Sequence, residues 1–301
     1  MYSLVYGRPT DINLDPVEKK PLYHFLPGSK LLSFGTVGCN FDCAFCQNYT
    51  TTQVNKNASS LDWVINRYSQ KITPKDLVDL ALSQKAAGIA YTYNEPAVFV
   101  EFARDTAKIA KRHGLKNVYV SNGFESPEAF EYMHGLIDAV NVDLKSFRPE
   151  FYLTVCKARL EPVLENIRSF FTAGIHTEIT TLLIPGENDS PPELTDIASF
   201  IRSVSPDIPW HISAFFPAYR LTDIPPTSYS SMLSAYRIGQ KAGLRYIYLG
   251  NVRDPQKSAT YCPGCGQTLI DRQTYRTSLK NFSPDSGTCP RCGEEIAGVW
   301  H

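Results

Sequence analysis

Between residues 31 and 250, short apolar runs alternate with helix-length segments, and this pattern limits the fold of the 301-residue chain more tightly than any other feature. Strand-like runs fall at 31–37, 89–93, 117–121, 139–144, 176–184 and 210–216, with one more at 244–249. Apolar runs of this length suit strands buried on both faces, and a helix between each pair points to parallel pairing through crossovers. The spacing predicts helices over 73–87, 97–113, 126–135, 160–173, 191–204 and 227–242. Thr73-Pro74 marks one start, a capping residue followed by proline at the first helical position. The fold class that satisfies this order is α/β, a partial (β/α)6 TIM-like barrel, with a full eight-stranded barrel as the alternative.

The flanks read differently. Residues 1–30 carry little periodicity: 2–6 suit one short strand, 15–22 an extended approach, and the whole segment a strap over the barrel surface. Residues 50–72 are rich in Asn, Ser and Thr and read as an irregular loop. The barrel then spans 31–250. After Asn251 the composition changes, and 258–301 reads as a small C-terminal domain. So short a segment buries too little apolar surface to fold unaided, and a metal staple is expected there.

Thirty Lys plus Arg balance thirty Asp plus Glu, so no net field gathers nucleic acid or anionic membrane. No apolar run approaches the roughly 18 residues of a membrane span, and no basic stretch leads into an apolar one near residue 1. A cytoplasmic protein is expected, where thiols stay reduced. The eight cysteines therefore read as metal ligands and not disulfides.

Three of them, Cys39, Cys43 and Cys46, share one loop at C-x3-C-x2-C spacing directly after the first strand. Three thiolates hold three corners of a [4Fe–4S] cube and leave one iron open to an outside ligand. Gly35 and Gly38 permit tight turning, and Phe45 supplies apolar cover. A zinc knuckle completed by a distant His or Cys is the rival reading. Cys262, Cys265, Cys289 and Cys292 form two C-P-x-C-G knuckles, which suit structural zinc in a ribbon. A second iron–sulfur cluster or rubredoxin-type iron uses similar ligands. Cys156 stands alone and reads as a packed thiol, with a radical relay or substrate contact as the alternative.

Polar segments fall at the same end of successive strands: Asn94-Glu95-Pro96, Asn122-Gly123, Lys145, 185–189 and Pro217. Active sites of such sheets lie at the carboxyl ends of strands. Each segment also has a plainer reading. Glu95 suits a helix N-terminus, Asp143 and Lys145 suit an ion pair, and 185–189 suits a turn. His211, Ser213 and Phe215 share one face of a strand and line a pocket if that face is the interior. Tyr219 follows that strand.

The cysteine loop resembles the radical S-adenosylmethionine (SAM) superfamily, whose signature is C-x3-C-x-φ-C with φ aromatic, here Phe45. The resemblance implies that SAM chelates the open iron and that one electron from the cluster breaks its S–C5′ bond to a 5′-deoxyadenosyl radical. Tyr93-Asn94-Glu95-Pro96 stands where the superfamily has G-G-E-P, which assigns Asn94 and Glu95 to the SAM amino group. Ser121-Asn122-Gly123-Phe124 is similar to a ribose-contacting segment of glycyl-radical-enzyme activases. With Val120 in place of their aspartate, that contact falls to Ser121 or Asn122. Asp143-Leu144-Lys145 matches a D-x-K motif whose lysine meets the SAM carboxylate. Residues 183–189 resemble G-x-I-x-G-x-x-E, which sets Ile184 beside adenine.

Residues 33–48, the segment 18–25 and the C-terminal knuckles together resemble the AmmeMemoRadiSam-system enzymes, relatives of pyruvate formate-lyase activating enzyme. Members often carry a further cysteine-rich N-terminal segment, absent from this sequence. The resemblance implies a radical SAM enzyme with flavodoxin or ferredoxin as reductant and Memo-like and AMMECR-like proteins as partners. The knuckles suit a macromolecular substrate. Glycyl-radical activation and a non-catalytic zinc-binding adaptor are the two alternatives.

Overall fold

Apolar residues on both sides of each strand require cover on both sides, and the computed structural model, which describes residues 3–54 and 60–301, supplies it. In chain order the strands are β1 (Pro9–Pro16), β2 (Lys30–Thr36), β3 (Gly88–Tyr91), β4 (Lys116–Ser121), β5 (Ala139–Asp143), β6 (His176–Leu183), β7 (Trp210–Ala214) and β8 (Ile247–Gly250). The last seven match the seven apolar runs. They pair in parallel and in sequence order, with Leu32 opposite Ile89, Val118 opposite Ala139 and Ile179 opposite Trp210. β1 adds antiparallel to β2 at one edge, and β8 is the other edge. Among the described residues β1 and β8 do not pair, so the sheet is open and the closed eight-stranded barrel is not formed.

The helices are α1 (Tyr49–Thr52), α2 (Leu61–Tyr68), α3 (Pro74–Ser83), α4 (Val100–Arg112), α5 (Pro127–Tyr132), α6 (Pro149–Phe151), α7 (Glu161–Thr172), α8 (Pro191–Val204), α9 (Tyr229–Ala242) and α10 (Pro255–Ser258). α3 opens with a reciprocal cap: the Thr73 hydroxyl accepts from the Asp76 N–H and the Asp76 carboxylate from the Thr73 N–H. Outward strand residues such as Ile89, Tyr119, Val140, Ile179 and Trp210 pack with α4, α7, α8 and α9 in the main core.

Three expectations need correction. The irregular stretch 50–72 contains α2, which Ser60 caps by accepting from the Trp63 N–H and which buries only Val64 and Ile65, too few to betray a period. Of the strand expected at 2–6, residue 2 lies outside the described residues and 4–7 form a turn. Residues 17–25 are a plug, not a surface strap. Val17, Leu22 and Phe25 are fully buried against Leu31, Ala90, Val118 and Ala139, the inward positions of four neighbouring strands. Burying each of these three side chains contributes about 1.5–3 kcal/mol, which explains why the segment is drawn inside.

The plug is also held by polar contacts. Glu178 on β6 accepts from the backbone N–H groups of Tyr23 (3.0 Å) and His24 (2.7 Å), and lies 2.9 and 2.6 Å from Nε2 of His176 and His211. Asn141 Nδ2 donates to the Pro21 carbonyl at 2.8 Å.

After α10 the chain forms a second sheet from β9 (Thr260–Tyr261), β10 (Thr268–Gln273) and β11 (Arg276–Leu279), all antiparallel. Leu269, Ile270, Phe282, Ile296 and Trp300 share one apolar cluster with Tyr246, Tyr248 and the plug residue Tyr23. Val299 pairs with Phe25 in a parallel bridge. The C-terminal segment thus relieves its shortage of apolar cover by docking on the plug and β8.

Candidate functional site

The cysteine loop leaves β2 at Thr36 and is tied down from three directions. From the end of β3, Asn94 Nδ2 donates to Thr36 Oγ1 (2.9 Å) and the Gly38 carbonyl (2.7 Å), while its Oδ1 accepts from the Thr36 N–H (3.1 Å). From the end of β4, Asn122 Nδ2 donates to Asn40 Oδ1 (2.7 Å), and Asn40 Nδ2 donates to the Phe124 carbonyl (2.9 Å). From below, a π turn at Tyr152–Cys156 offers the Val155 and Cys156 carbonyls to the N–H groups of Ala44 (3.0 Å) and Asp42 (2.9 Å). Single π turns recur at functional sites because they free carbonyls from the helix ladder.

Gly35 is required by close approach. A Cβ there would strike the Thr92 carbonyl and lie 2.8 Å from Asn94 Oδ1. Gly35→Ala should cost about 1–3 kcal/mol and loosen the Asn94 clamp. Thermal melts and an iron count on the reconstituted variant check both effects.

Cys39, Cys43 and Cys46 line one cavity of about 500 Å3 at the carboxyl ends of the strands. Also on its wall are Phe45, Asn94, Ser121, Asn122, Asp143 and Lys145. The strand-end residues Asn94, Asn122 and Lys145 therefore converge as expected, whereas 185–189 and Pro217 stay off the wall. All three thiols are free. Burial, with Glu95 adding to it, pushes Cys39 up to about 12. For Cys43 the hydrogen bond to Cys156 comes first and burial second, again raising it. Thiols held this way become thiolates when a metal supplies the compensating charge. Cys156 is fully buried behind Cys43 and does not line the cavity, in keeping with a packed thiol.

Asp143 and Lys145 pair at 2.9 Å. Burial alone would lower the lysine, but Asp143 and the thiols of Cys43 and Cys156 hold it well above its usual range. Its ammonium lies 5.8 Å from the Phe45 ring centre. Glu95 is fully buried behind the wall. Its carboxylate accepts from the Asn122 N–H (2.7 Å), the Ser121 hydroxyl (2.9 Å) and the Ala97 N–H (3.1 Å), joining the ends of β3 and β4. Burial pushes it up to about 7, although these donors and Lys145 pull the other way. Tyr93, where the motif has glycine, sits at φ +69°. That left-handed backbone is secured by its hydroxyl on Asp15 (2.7 Å) and by Asn48 Nδ2 on its carbonyl (2.7 Å). Ile184 is fully buried in the core, off the cavity wall, and Leu182 takes the nearby wall position.

His211 is paired with Glu178 and stacked at 5.3 Å on Tyr248, and it lines a cavity on the inner face of the sheet. Ser213 faces the interior, Phe215 is core, and Tyr219 stacks on Tyr49 at 5.0 Å. Lys19, Lys20 and Pro21 form part of the cavity wall. Sequence reasoning missed them, because only the seating of the plug brings them there; the lone signal was two lysines four and five residues after Asp15.

The other four cysteines form a tight cage, all ligand atoms lying within 4.8 Å of one another. Cys262 and Cys292 are 3.5 Å apart and Cys265 and Cys289 3.7 Å. A tetrahedral ion with metal–sulfur bonds of about 2.3 Å needs sulfurs roughly 3.8 Å apart. Burial raises Cys289, but the N–H groups of Arg291 and Cys292 and the facing thiols outweigh it and bring it down to about 7.

Residues 34–197 match the family model of the Radical SAM superfamily. The chain is 38% identical to an uncharacterized protein of Methanocaldococcus jannaschii, MJ0808, over 98% of this chain and 86% of that one. It is 24% identical to the pyruvate formate-lyase-activating enzyme of Listeria monocytogenes, over 59% of this chain and 71% of that one. Among solved structures, Streptococcus suis SuiB bound to S-adenosylmethionine shares the fold with a TM-score of 0.56 at 11% identity, over 82% of this chain and 56% of that one. With more than half of its length matched by the family model, a stretch that includes the cysteine loop on the cavity wall, the chain belongs to the Radical SAM superfamily.

Proposed function

We propose that this protein is an enzyme that cleaves SAM reductively and uses the resulting radical to take hydrogen from a substrate. The observation that carries this reading is the presence of three free thiols on one cavity wall with the strand-end polar residues around them. Bound at Cys39, Cys43 and Cys46, a [4Fe–4S] cluster supplies the electron for that cleavage and an open iron for the SAM amino and carboxylate groups. Phe45 shields the cluster from water. Lys145 offers its ammonium to the SAM carboxylate, and Ser121 and Asn122 offer hydroxyl and amide to the ribose. Asn94 and Glu95 act on the amino group through the backbone they hold. Ile184 supports the adenine side from the core. Residues 31–250 carry this chemistry, and 258–301 form a unit stapled by zinc at the four-cysteine cage.

The similarity to activating enzymes supports a second reading, that the substrate is a glycyl-radical enzyme. An electron paramagnetic resonance doublet on an added partner protein would select it. Assignment to the AmmeMemoRadiSam system, with Memo-like and AMMECR-like partners, flavodoxin or ferredoxin as reductant and a cytoplasmic location, belongs to the first reading. No described helix is long and apolar enough to cross a membrane.

Anaerobic reconstitution with iron and sulfide, then SAM and dithionite, should release 5′-deoxyadenosine. Fully clustered protein that releases none would reject the proposal. Metal analysis should find zinc at the cage, and a strong chelator should open 258–301 to protease before the barrel is cut, because metal affinity there is also folding energy.

A further inference from the structure

A second cavity of about 520 Å3 lies against the first and shares Lys19, Pro21, Ser213 and Asn251 with it. Its other walls come from the end of β8 (Leu249–Arg253) and from the β10–β11 hairpin, with Arg272, Gln273, Thr274 and Tyr275. The inner chamber therefore communicates along the open edge of the sheet with an outer one that the four-cysteine segment encloses.

The charges of the outer chamber are unbalanced. Of its carboxylates, Asp254 accepts from the N–H groups of Gln256 (2.9 Å) and Lys257 (3.2 Å) and from the Tyr229 hydroxyl (2.5 Å). Glu18 is buried; its Oε1 accepts from the Gly28 N–H (2.7 Å) and the Thr277 hydroxyl (2.6 Å), and its Oε2 has no hydrogen-bond partner among the described residues. On the cationic side, Arg253 is exposed and has no partner among the described residues. Lys19 shares a single carboxylate, Asp15, with the buried Lys20, at 2.9 and 2.7 Å, so one positive charge is left over on the shared floor. Arg272 is fully buried, and its guanidinium meets only neutral oxygens and the rings of Tyr23 and Tyr248. With Lys19, Arg253 and Arg272 on its wall against Glu18 and Asp254, the chamber keeps one cation in excess and attracts an anion.

We propose that the outer chamber is the substrate site and that it recognises an oxyanion, a carboxylate or a phosphate, through Arg253 and Lys19, leaving the rest of the substrate to reach past Ser213 and Asn251 to the cysteine end. This rests on the radical reading of the inner chamber. It also gives the four-cysteine segment a share in the substrate site through its Gln273–Tyr275 turn.

Calorimetric titration of the reconstituted protein with inorganic phosphate, and separately with glutarate, tests the site and distinguishes the two anions. One probe should bind saturably at a single site per chain. Arg253→Ala and Lys19→Ala should each weaken it about tenfold, the loss of one charge-assisted hydrogen bond. Both side chains are exposed enough for the variants to fold, and Lys75→Ala, on the far surface of α3, should bind like the parent. Failure of both probes to bind, or binding unaffected by Arg253→Ala, overturns the proposal. The same preparation assayed for 5′-deoxyadenosine separates the two failures. Product without anion binding sinks only the substrate site, and Arg253-dependent binding without product sinks only the radical chemistry.

Discussion

Cys46→Ala should lower the iron held by the loop from about four atoms per chain to near zero and reduce 5′-deoxyadenosine formation by more than about 100-fold, beyond the usual cost of losing a ligand's hydrogen-bond partner. Cys46 closes the loop, its sulfur 3.1 Å from Thr52 Oγ1 at the start of the segment after the cysteines. Without it two corners remain. Metal at Cys262, Cys265, Cys289 and Cys292 should be unchanged, which makes atomic emission on one sample an internal control. Cys156→Ala is the informative companion. Cys156 touches Cys43 but stays off the cavity wall, so this variant should keep its iron. If it loses iron as Cys46→Ala does, Cys156 is a fourth ligand and no iron is left open for SAM.

Glu178→Ala should destabilise the fold by about 3–5 kcal/mol, the cost of breaking a buried charged pair by removing one partner. That corresponds to a fall of roughly 6–20 °C in melting temperature. The carboxylate is fully buried and joins three elements: the plug through the Tyr23 and His24 N–H groups, β6 itself through His176, and β7 through His211. All of these donors lose their acceptor at once. The pH dependence has a definite sign. Burial alone would raise the Glu178 pKa, but hydrogen bonds and charge from His176 and His211 hold it below the usual carboxylate range. A depressed folded-state pKa contributes stability that is fully present above the unfolded value of about 4.3 and is lost as pH falls through and below it. Urea melts at pH 5 and pH 3, which straddle the unfolded value, should therefore show a steeper acid loss in the parent than in Glu178→Ala. Equal slopes would mean that the carboxylate is not what fastens the plug.

The parallel sheet was legible in the chain because its signal is local. An apolar run such as 176–184 reads as a strand whatever lies across from it, and Thr73-Pro74 caps a helix with its own side chain. The cysteine loop was legible for a similar reason, since three ligands within eight residues need no tertiary information to be recognised as a set. Asn94 was singled out, but its amide's engagement with the loop was not foreseen, because Thr36 and Gly38 lie more than fifty residues away. Glu95 was weighed between cofactor and helix cap, and the contact to Ser121 and Asn122 that joins two strand ends belongs to neither reading.

Local pattern was thus enough to specify strands, helices, two cysteine groups and the end of the sheet where chemistry collects. Packing alone decided that 17–25 would fill the interior, that Lys19 and Lys20 would face the cavity with one aspartate between them, and that the four-cysteine segment would wall a second chamber. Those outcomes depend on which inward positions a twisted open sheet leaves uncovered, a property of eight strands acting together that no single stretch of residues records.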